Sequence, residues 1–211
     1  MTTASSVLDL YRAHKGRVDV VDVPEILIAA VDGRGDPDGP EFAAAIQALY
    51  GASYPAHFLA MKRLGEAPRV MPLEALWWVE DDAATDTFTQ VATGEASVDD
   101  VDRSLWRWRA FIVQPAPLDE DVLAAAVDTA AQKNPAGPPV IVERWHEGLS
   151  AQILHVGPYA AEAPSIVALH DGLTALGYRA RGRHHEIYLG DPRRSAPEKL
   201  RTILRHPVEP A

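Results

Sequence analysis

The sequence predicts an α+β protein made of two similar halves, and three observations carry that prediction. First, strand-like runs rich in β-branched and aromatic residues alternate with amphipathic helical segments along most of the chain. Second, the stretch Glu25-Ile-Leu-Ile-Ala-Ala-Val-Asp-Gly33, followed by a helix and Leu49-Tyr50, is echoed by Ala151-Gln-Ile-Leu-His-Val-Gly-Pro-Tyr159, followed by a helix and Leu176-Gly-Tyr178. Each reads as a buried strand, a glycine turn and a helix, and tandem halves with a cleft between them would set the aromatic strands around one cavity. Third, His184-His-Glu-Ile-Tyr-Leu-Gly-Asp-Pro192 is a well-bounded strand. Ile187, Tyr188 and Leu189 favour it, Gly190-Asp191-Pro192 ends it, and Ser195-Ala-Pro-Glu198 reads as a capping box opening a terminal helix to Arg205.

The other elements follow in chain order. Ser5 or Ser6 caps a short helix through Tyr11 that Gly16 stops, which makes residues 1–16 a helical extension to a domain over residues 17–208. Arg17 to Asp32 is strand, with a kink or edge expected at Pro24, whose missing N–H cannot join a ladder. The run Gly33-Arg-Gly-Asp-Pro-Asp-Gly39 is turn chemistry, and its Arg34-Gly35-Asp36 carries no adhesion meaning. Phe42, Ala45, Ile46 and Leu49 recur at helical spacing from Pro40, with interruptions expected at Gly51 and Pro55 and a second piece running to Gly65. Tyr54 sits at that break, where a side chain can be aimed out of helical register or pack a corner.

Pro72-Leu-Glu-Ala-Leu-Trp-Trp-Val79 is a strand whose neighbours Trp77 and Trp78 must face opposite sides. The acidic segments 80–86 and 97–102 read as solvated loop or short helix. Leu105 to Val113 is a strand with Trp106 and Trp108 on one face and Arg107 and Arg109 on the other. Leu118 onward is an amphipathic helix with acids in its first turn, where the helix dipole favours them. Val140–Trp145 and Leu149–Val156 are expected to form a hairpin through Glu147-Gly148, and Gly157-Pro158-Tyr159 leads into a helix through Leu176.

Composition narrows the functions available. The 211 residues carry thirty acidic and twenty basic side chains, a formal charge of −10, which disfavours phosphate backbones as partners. There is no cysteine, so thiolate chemistry and disulfides are excluded. The N-terminus has no signal-peptide pattern and no apolar run approaches a membrane span, so a cytoplasmic location is expected, with no membrane or nucleic-acid partner. No GxGxxG, Walker, GxSxG, HExxH or EF-hand pattern occurs. His146, His155 and His170 lack conventional ligand spacing, and the neighbours His184 and His185 face opposite ways, so no metal is expected.

The chemistry then falls to the strand at 184–189. Residues two apart share a face, so His184, Glu186 and Tyr188 point one way and His185, Ile187 and Leu189 the other. On a solvated face, Glu186 and Tyr188 are ordinary surface. Lining a cavity, Glu186 is a partly desolvated acid beside a hydrogen-bonding ring, suited to cation binding or proton transfer. Five tryptophans are costly to bury fully because each indole N–H needs a partner, and an aromatic-walled cavity would resolve that while stacking on flat or cationic ligands.

Five motifs taken together carry a family resemblance. Val31-Asp-Gly-Arg-Gly-Asp-Pro37, Pro72-Leu-Glu-Ala-Leu-Trp-Trp78, Trp106-Arg-Trp108, Leu154-His-Val-Gly-Pro-Tyr159 and the long His184-to-Leu200 segment resemble the stand-alone GyrI-like small-molecule-binding proteins, from about Arg17 to Val208. The resemblance implies an α+β fold of two pseudo-symmetric β-α-β-β (SHS2-type) modules with antiparallel sheets and a ligand cleft between them. It also implies binding of lipophilic aromatic or cationic small molecules over a glutamate, here Glu186. Members with the paired Trp motif look like hydrolases that open the strained cyclopropane of alkylating natural products, with a glutamate and a tyrosine in an aromatic cage. Those roles map onto Glu186, which would orient or deprotonate the water, and, at a less regular stretch, Tyr54, with Tyr188 as the other tyrosine that would hydrogen-bond the water or the developing oxyanion; Ala75 stands where a glycine is common. The expected ligand-binding set is Trp77, Trp78, Trp106, Trp108, Phe58, His155, Tyr159 and Tyr188, with Trp78 and Trp108 stacking on the ligand. No cofactor is expected, since ring strain drives water addition. The rival readings are a non-catalytic multidrug-binding protein and a gyrase-inhibitor-like protein.

Overall fold

The computed structural model describes residues 2–3, 7–79 and 103–211, so Ser5, Ser6 and the acidic segments 80–86 and 97–102 lie outside the described residues. The chain forms two compact units, one from Met1–Pro24, Leu76–Trp106 and Glu147–Ala211, the other from Glu25–Ala75 and Arg107–His146. Among the described residues there are three α-helices and eight strands, paired mainly antiparallel, so the protein is α+β. None of the helices is long and apolar enough to cross a membrane.

In the second unit, the later part of strand β2 (Asp19–Arg34) pairs antiparallel with β4 (Trp106–Val113) from Ile28 opposite Val113 to Arg34 opposite Arg107. The run Ile26–Val31 is buried throughout, as a strand covered on both faces requires. Pro24 falls between the residues of β2 paired with β1 (Thr2–Thr3) and those paired with β4, where its missing N–H breaks neither ladder. Helix α1 (Pro40–Leu64) packs on α2 (Glu120–Lys133), and buries the small residues Ala45, Ala52, Ala56 and Ala60. Contrary to the expected interruption, α1 runs unbroken through Gly51 and Pro55. A proline there forgoes one backbone bond and crowds the carbonyl of Gly51, but burial of Leu49, Ala52, Ala56 and Ala60 along one face holds the helix together. Gly65 ends it in the left-handed region, φ 76°, and its N–H bonds Met61 O at 3.1 Å. Helix α2 starts where its sequence says: the Asp119 carboxylate accepts from Val122 N at 2.8 Å.

In the first unit, β8 (Arg201–Pro210) lies between β5 (Ile141–Val156) and β7 (His184–Tyr188), with β6 (Tyr178–Ala180) on its far end. A 3-10 turn, Tyr159–Ala161, leads into helix α3 (Ala163–Ala175). The N-terminal segment is a 3-10 turn, Val7–Tyr11, rather than an α-helix. Its Leu10 carbonyl accepts from Arg205 Nη2 at 2.7 Å, which ties it to the sheet.

Two predicted elements are corrected in this unit. The expected terminal helix is a single 3-10 turn, Pro197–Lys199, without a side-chain cap, followed by β8. Every residue from Thr202 to Val208 is buried. Helix propensities differ by at most ~0.7 kcal/mol per ordinary residue, whereas burying Ile203 or Leu204 contributes about 1.5–3 kcal/mol each, so a place at the sheet's centre decides the conformation. The expected hairpin at Glu147-Gly148 is one continuous strand, β5. Gly148 takes φ 76° within it, which bends the strand without reversing it, and Ser150–Val156 continue in register with β8.

Candidate functional site

Strand β7 presents Glu186 and Tyr188 on one face as its alternation requires. The Trp77 indole Nε1–H donates to Tyr188 Oη at 3.0 Å, and Tyr188 Oη donates to Glu186 Oε2 at 2.8 Å. Because an indole only donates and a phenol carries a single proton, the direction of this chain is fixed: Trp77 to Tyr188 to Glu186. Burial, and next the charge of Glu186, push the Tyr188 hydroxyl well above its ordinary range, so it stays protonated as the donor. On the other carboxylate oxygen, His184 Nε2 lies 3.5 Å from Glu186 Oε1. The Glu186 side chain is 13% exposed, neither sealed nor in bulk solvent.

Aromatic rings surround this relay. Trp106 meets Trp77 edge-on at 5.6 Å, and Tyr159 meets Tyr188 edge-on at 5.6 Å. The Tyr159 hydroxyl is pushed up to about 12 by burial and by the charges of Glu162, Glu186 and Asp191. His155 anchors the turn beneath. Its Nε2 faces the Pro158 carbonyl at 3.3 Å and so carries the proton, leaving Nδ1 to accept from Ser165 Oγ at 3.0 Å. Burial lowers its pKa, so the ring is a neutral structural partner.

A second carboxyl group belongs to the cluster. Glu162, between the 3-10 turn and α3, is 6% exposed, and its Oε1 has no hydrogen-bond partner among the described residues. Thr202 Oγ1 on β8 is likewise buried and unpartnered. Burial and the charge of Glu186 raise the Glu162 pKa to about 9, opposed weakly by the Thr202 hydroxyl, which stands near but outside hydrogen-bond geometry. Both effects favour the protonated form of Glu162.

The other face of β7 does structural duty. His185 Nδ1 meets Glu147 Oε1 at 2.9 Å, Arg205 Nη1 donates to Glu147 Oε2 at 3.3 Å, and Arg205 Nε donates to Gln152 Oε1 at 2.9 Å. Burial alone would raise the Glu147 pKa, but His185 and Arg205 together hold it below the usual carboxylate range. The alternation of one short strand thus separates a stabilising ion network from the site.

The remaining predicted residues are placed differently. Trp78 points away from Trp77, as adjacent strand positions must, and the Arg183 guanidinium covers its ring at 3.5 Å. Trp108 belongs to the second unit and is 1% exposed, wedged edge-on against Phe42 at 5.0 Å and over Gly33. Tyr54 and Phe58 also belong to the second unit, 52% and 67% exposed on α1, beside Tyr50 and His57 respectively. Glu186, Tyr188, Trp77, Trp106, Tyr159 and His155 are all in the first.

Residues 17–209 match the model of the GyrI-like small-molecule-binding domain. The chain belongs to this family. Among solved structures, this GyrI-like domain is similar to an uncharacterized conserved protein from Listeria innocua, with 34% identity over 95% of this chain and 96% of that one and a TM-score of 0.80. It is also similar to two structures described as hydrolases from the same organism. One is 31% identical over 99% and 100% of the two chains, the other 34% over 95% and 96%, both with a TM-score of 0.74. No curated protein matches it.

Sequence reading found the GyrI-like motif residues around Glu186 but missed Glu162 and Thr202. The motif at Leu154–Tyr159 stops three residues short of Glu162, and an acid ahead of Ala163-Pro164 reads as an ordinary helix-start charge. Thr202 lies in a segment whose sequence reads as helix and which folds as strand.

Proposed function

We propose that this GyrI-like domain is a cytoplasmic protein that binds flat lipophilic or cationic compounds over Glu186 and hydrolyses those carrying an electrophilic cyclopropane, thereby detoxifying them. The observation that carries the reading is the directional relay Trp77–Tyr188–Glu186. With Oε2 held by Tyr188, the carboxylate is fixed in orientation, and Oε1, 3.5 Å from His184 Nε2, is the oxygen that would accept a proton from water attacking a bound electrophile. Tyr159, 38% exposed, offers aromatic surface to such a guest, with Trp77 and Trp106 packed behind the relay, and ring strain supplies the driving force. The hydrolase descriptions of two full-length relatives above 30% identity support the reaction class. Tyr54 and Phe58 are exposed on α1, and the strand–helix pairs β2–α1 and β5–α3 are the proposed counterparts of the family's two similar modules.

The test is incubation of the full chain with a spirocyclopropyl cyclohexadienone, followed by mass analysis for a gain of one water. Conversion by the wild type and its loss in Glu186→Gln support hydrolysis. Tight binding with the compound's mass unchanged favours instead a non-catalytic multidrug-binding protein, which the same acid among aromatic rings would also serve.

A further inference from the structure

We propose that Glu162 is the acid of this site, giving its proton to the ligand oxygen on which negative charge collects while Glu186 takes one from the attacking water. The proposal rests on the hydrolytic reading above. Two geometric facts lead to it. The Tyr188 proton is directed at Glu186, so the phenol cannot serve a developing oxyanion without abandoning the base it orients. Glu162, by contrast, is buried with Oε1 unpartnered, next to a second buried and unpartnered oxygen, Thr202 Oγ1. Glu186 from β7 and Thr202 from β8 act on it, and its own charge acts in turn on Tyr188 and on Tyr159 from the preceding turn; no lysine or arginine of the described residues is among the groups that shift it. A buried carboxyl group without a cation, close to another carboxylate, keeps its proton, and its pKa near 9 agrees.

The step balances. Water's oxygen bonds to the unsubstituted ring carbon as the strained C–C bond breaks, and the released electron pair runs through the conjugated system to the carbonyl oxygen. That oxygen takes the Glu162 proton and becomes a hydroxyl, while Glu186 takes the proton lost by water. Return of one proton from Glu186 to Glu162 through solvent restores both groups, and the net change is addition of one water.

The experiment combines turnover of a spirocyclopropyl cyclohexadienone by the full chain with carbon-detected NMR titration of labelled glutamate, the Glu162 signal being assigned by its absence in Glu162→Gln. The proposal expects Glu162 to titrate near pH 9. It also expects kcat/KM to fall above that pH, and Glu162→Gln to lower kcat roughly 100-fold at nearly unchanged KM while losing that alkaline limb. Titration of Glu162 in the ordinary carboxylate range overturns the proposal whatever the turnover. An active wild type with an equally active Glu162→Gln overturns it and leaves the hydrolytic reading standing. An inactive wild type overturns both.

Discussion

Tyr188 has one proton to donate and Glu186 receives it, so the phenol's role is set by the indole behind it. Replacing Tyr188 by Phe removes the bond to Glu186 and strands the Trp77 N–H. Turnover is expected to fall about 10- to 100-fold through loss of orientation at the base, with a stability loss of about 1–3 kcal/mol for the orphaned donor. Steady-state kinetics and urea denaturation check both. Glu162 gives a prediction of opposite sign. Its pKa rises from an ordinary 4.5 to about 9 on folding, so the folded state binds more protons between those values. Its contribution is fully present below pH 4.5 and is lost as pH rises toward 9. Glu162→Gln, neutral throughout, is therefore expected to gain stability relative to wild type as pH rises, the gap levelling off above pH 9. Denaturation midpoints of the two proteins across pH 5–10, a range that brackets that pKa, read it directly. Glu186 was legible in the sequence because strand alternation and a distinctive motif marked it. Glu162 was not, because burial of a lone acid depends on what folds over it.

Among elements, those with local chemical signals matched their sequences. Asp119 precedes a helix and caps it, and Asp119→Ala is expected to cost about 1 kcal/mol of stability. The paired tryptophans alternate because a strand leaves them no choice. Gly33 carries information that sequence pattern alone would not reveal, since a Cβ there would sit 2.2 Å from the Trp108 ring. Gly33→Ala must displace that ring from its packing against Phe42, and a loss of about 1–3 kcal/mol is expected in thermal or chemical unfolding. Elements were misread where a local signal competed with a tertiary one. Ser195-Ala-Pro-Glu198 has the composition of a capping box, yet the segment after it fills the middle of a sheet.

At the scale of the whole molecule, Arg205 ties β8 to three other segments of the first unit: the Leu10 carbonyl in the N-terminal turn, Gln152 and Glu147 on β5, and through Glu147 the His185 ring on β7. Arg205→Met is expected to cost about 3–5 kcal/mol, because it leaves Glu147 charged and buried with one partner fewer. Arg205→Met combined with Glu147→Gln should cost less than the sum of the two, which a double-mutant cycle measures. Acid sensitivity should come from the same unit. Burial, with neighbouring histidines, lowers the pKa of His170 from 6.5 to about 4 and that of His206 well below 6.5, and their rings meet edge-on at 5.1 Å. Their stabilising effect is complete above pH 6.5 and is lost as pH falls toward 4. Urea midpoints should drop over that window, and less steeply in His206→Gln.

The sequence by itself determined the α+β class, the boundaries of locally capped elements, the family and the face of β7 that carries Glu186 and Tyr188, since each depends on residues near one another in the chain. Only the tertiary structure decided that residues 201–210 are a central strand, that Trp108 is enclosed in packing, and that Glu162 is a buried, protonated neighbour of Glu186. These depend on which distant segments cover a residue, and desolvation by such segments is what turns an ordinary carboxyl group into an acid that holds its proton at neutral pH.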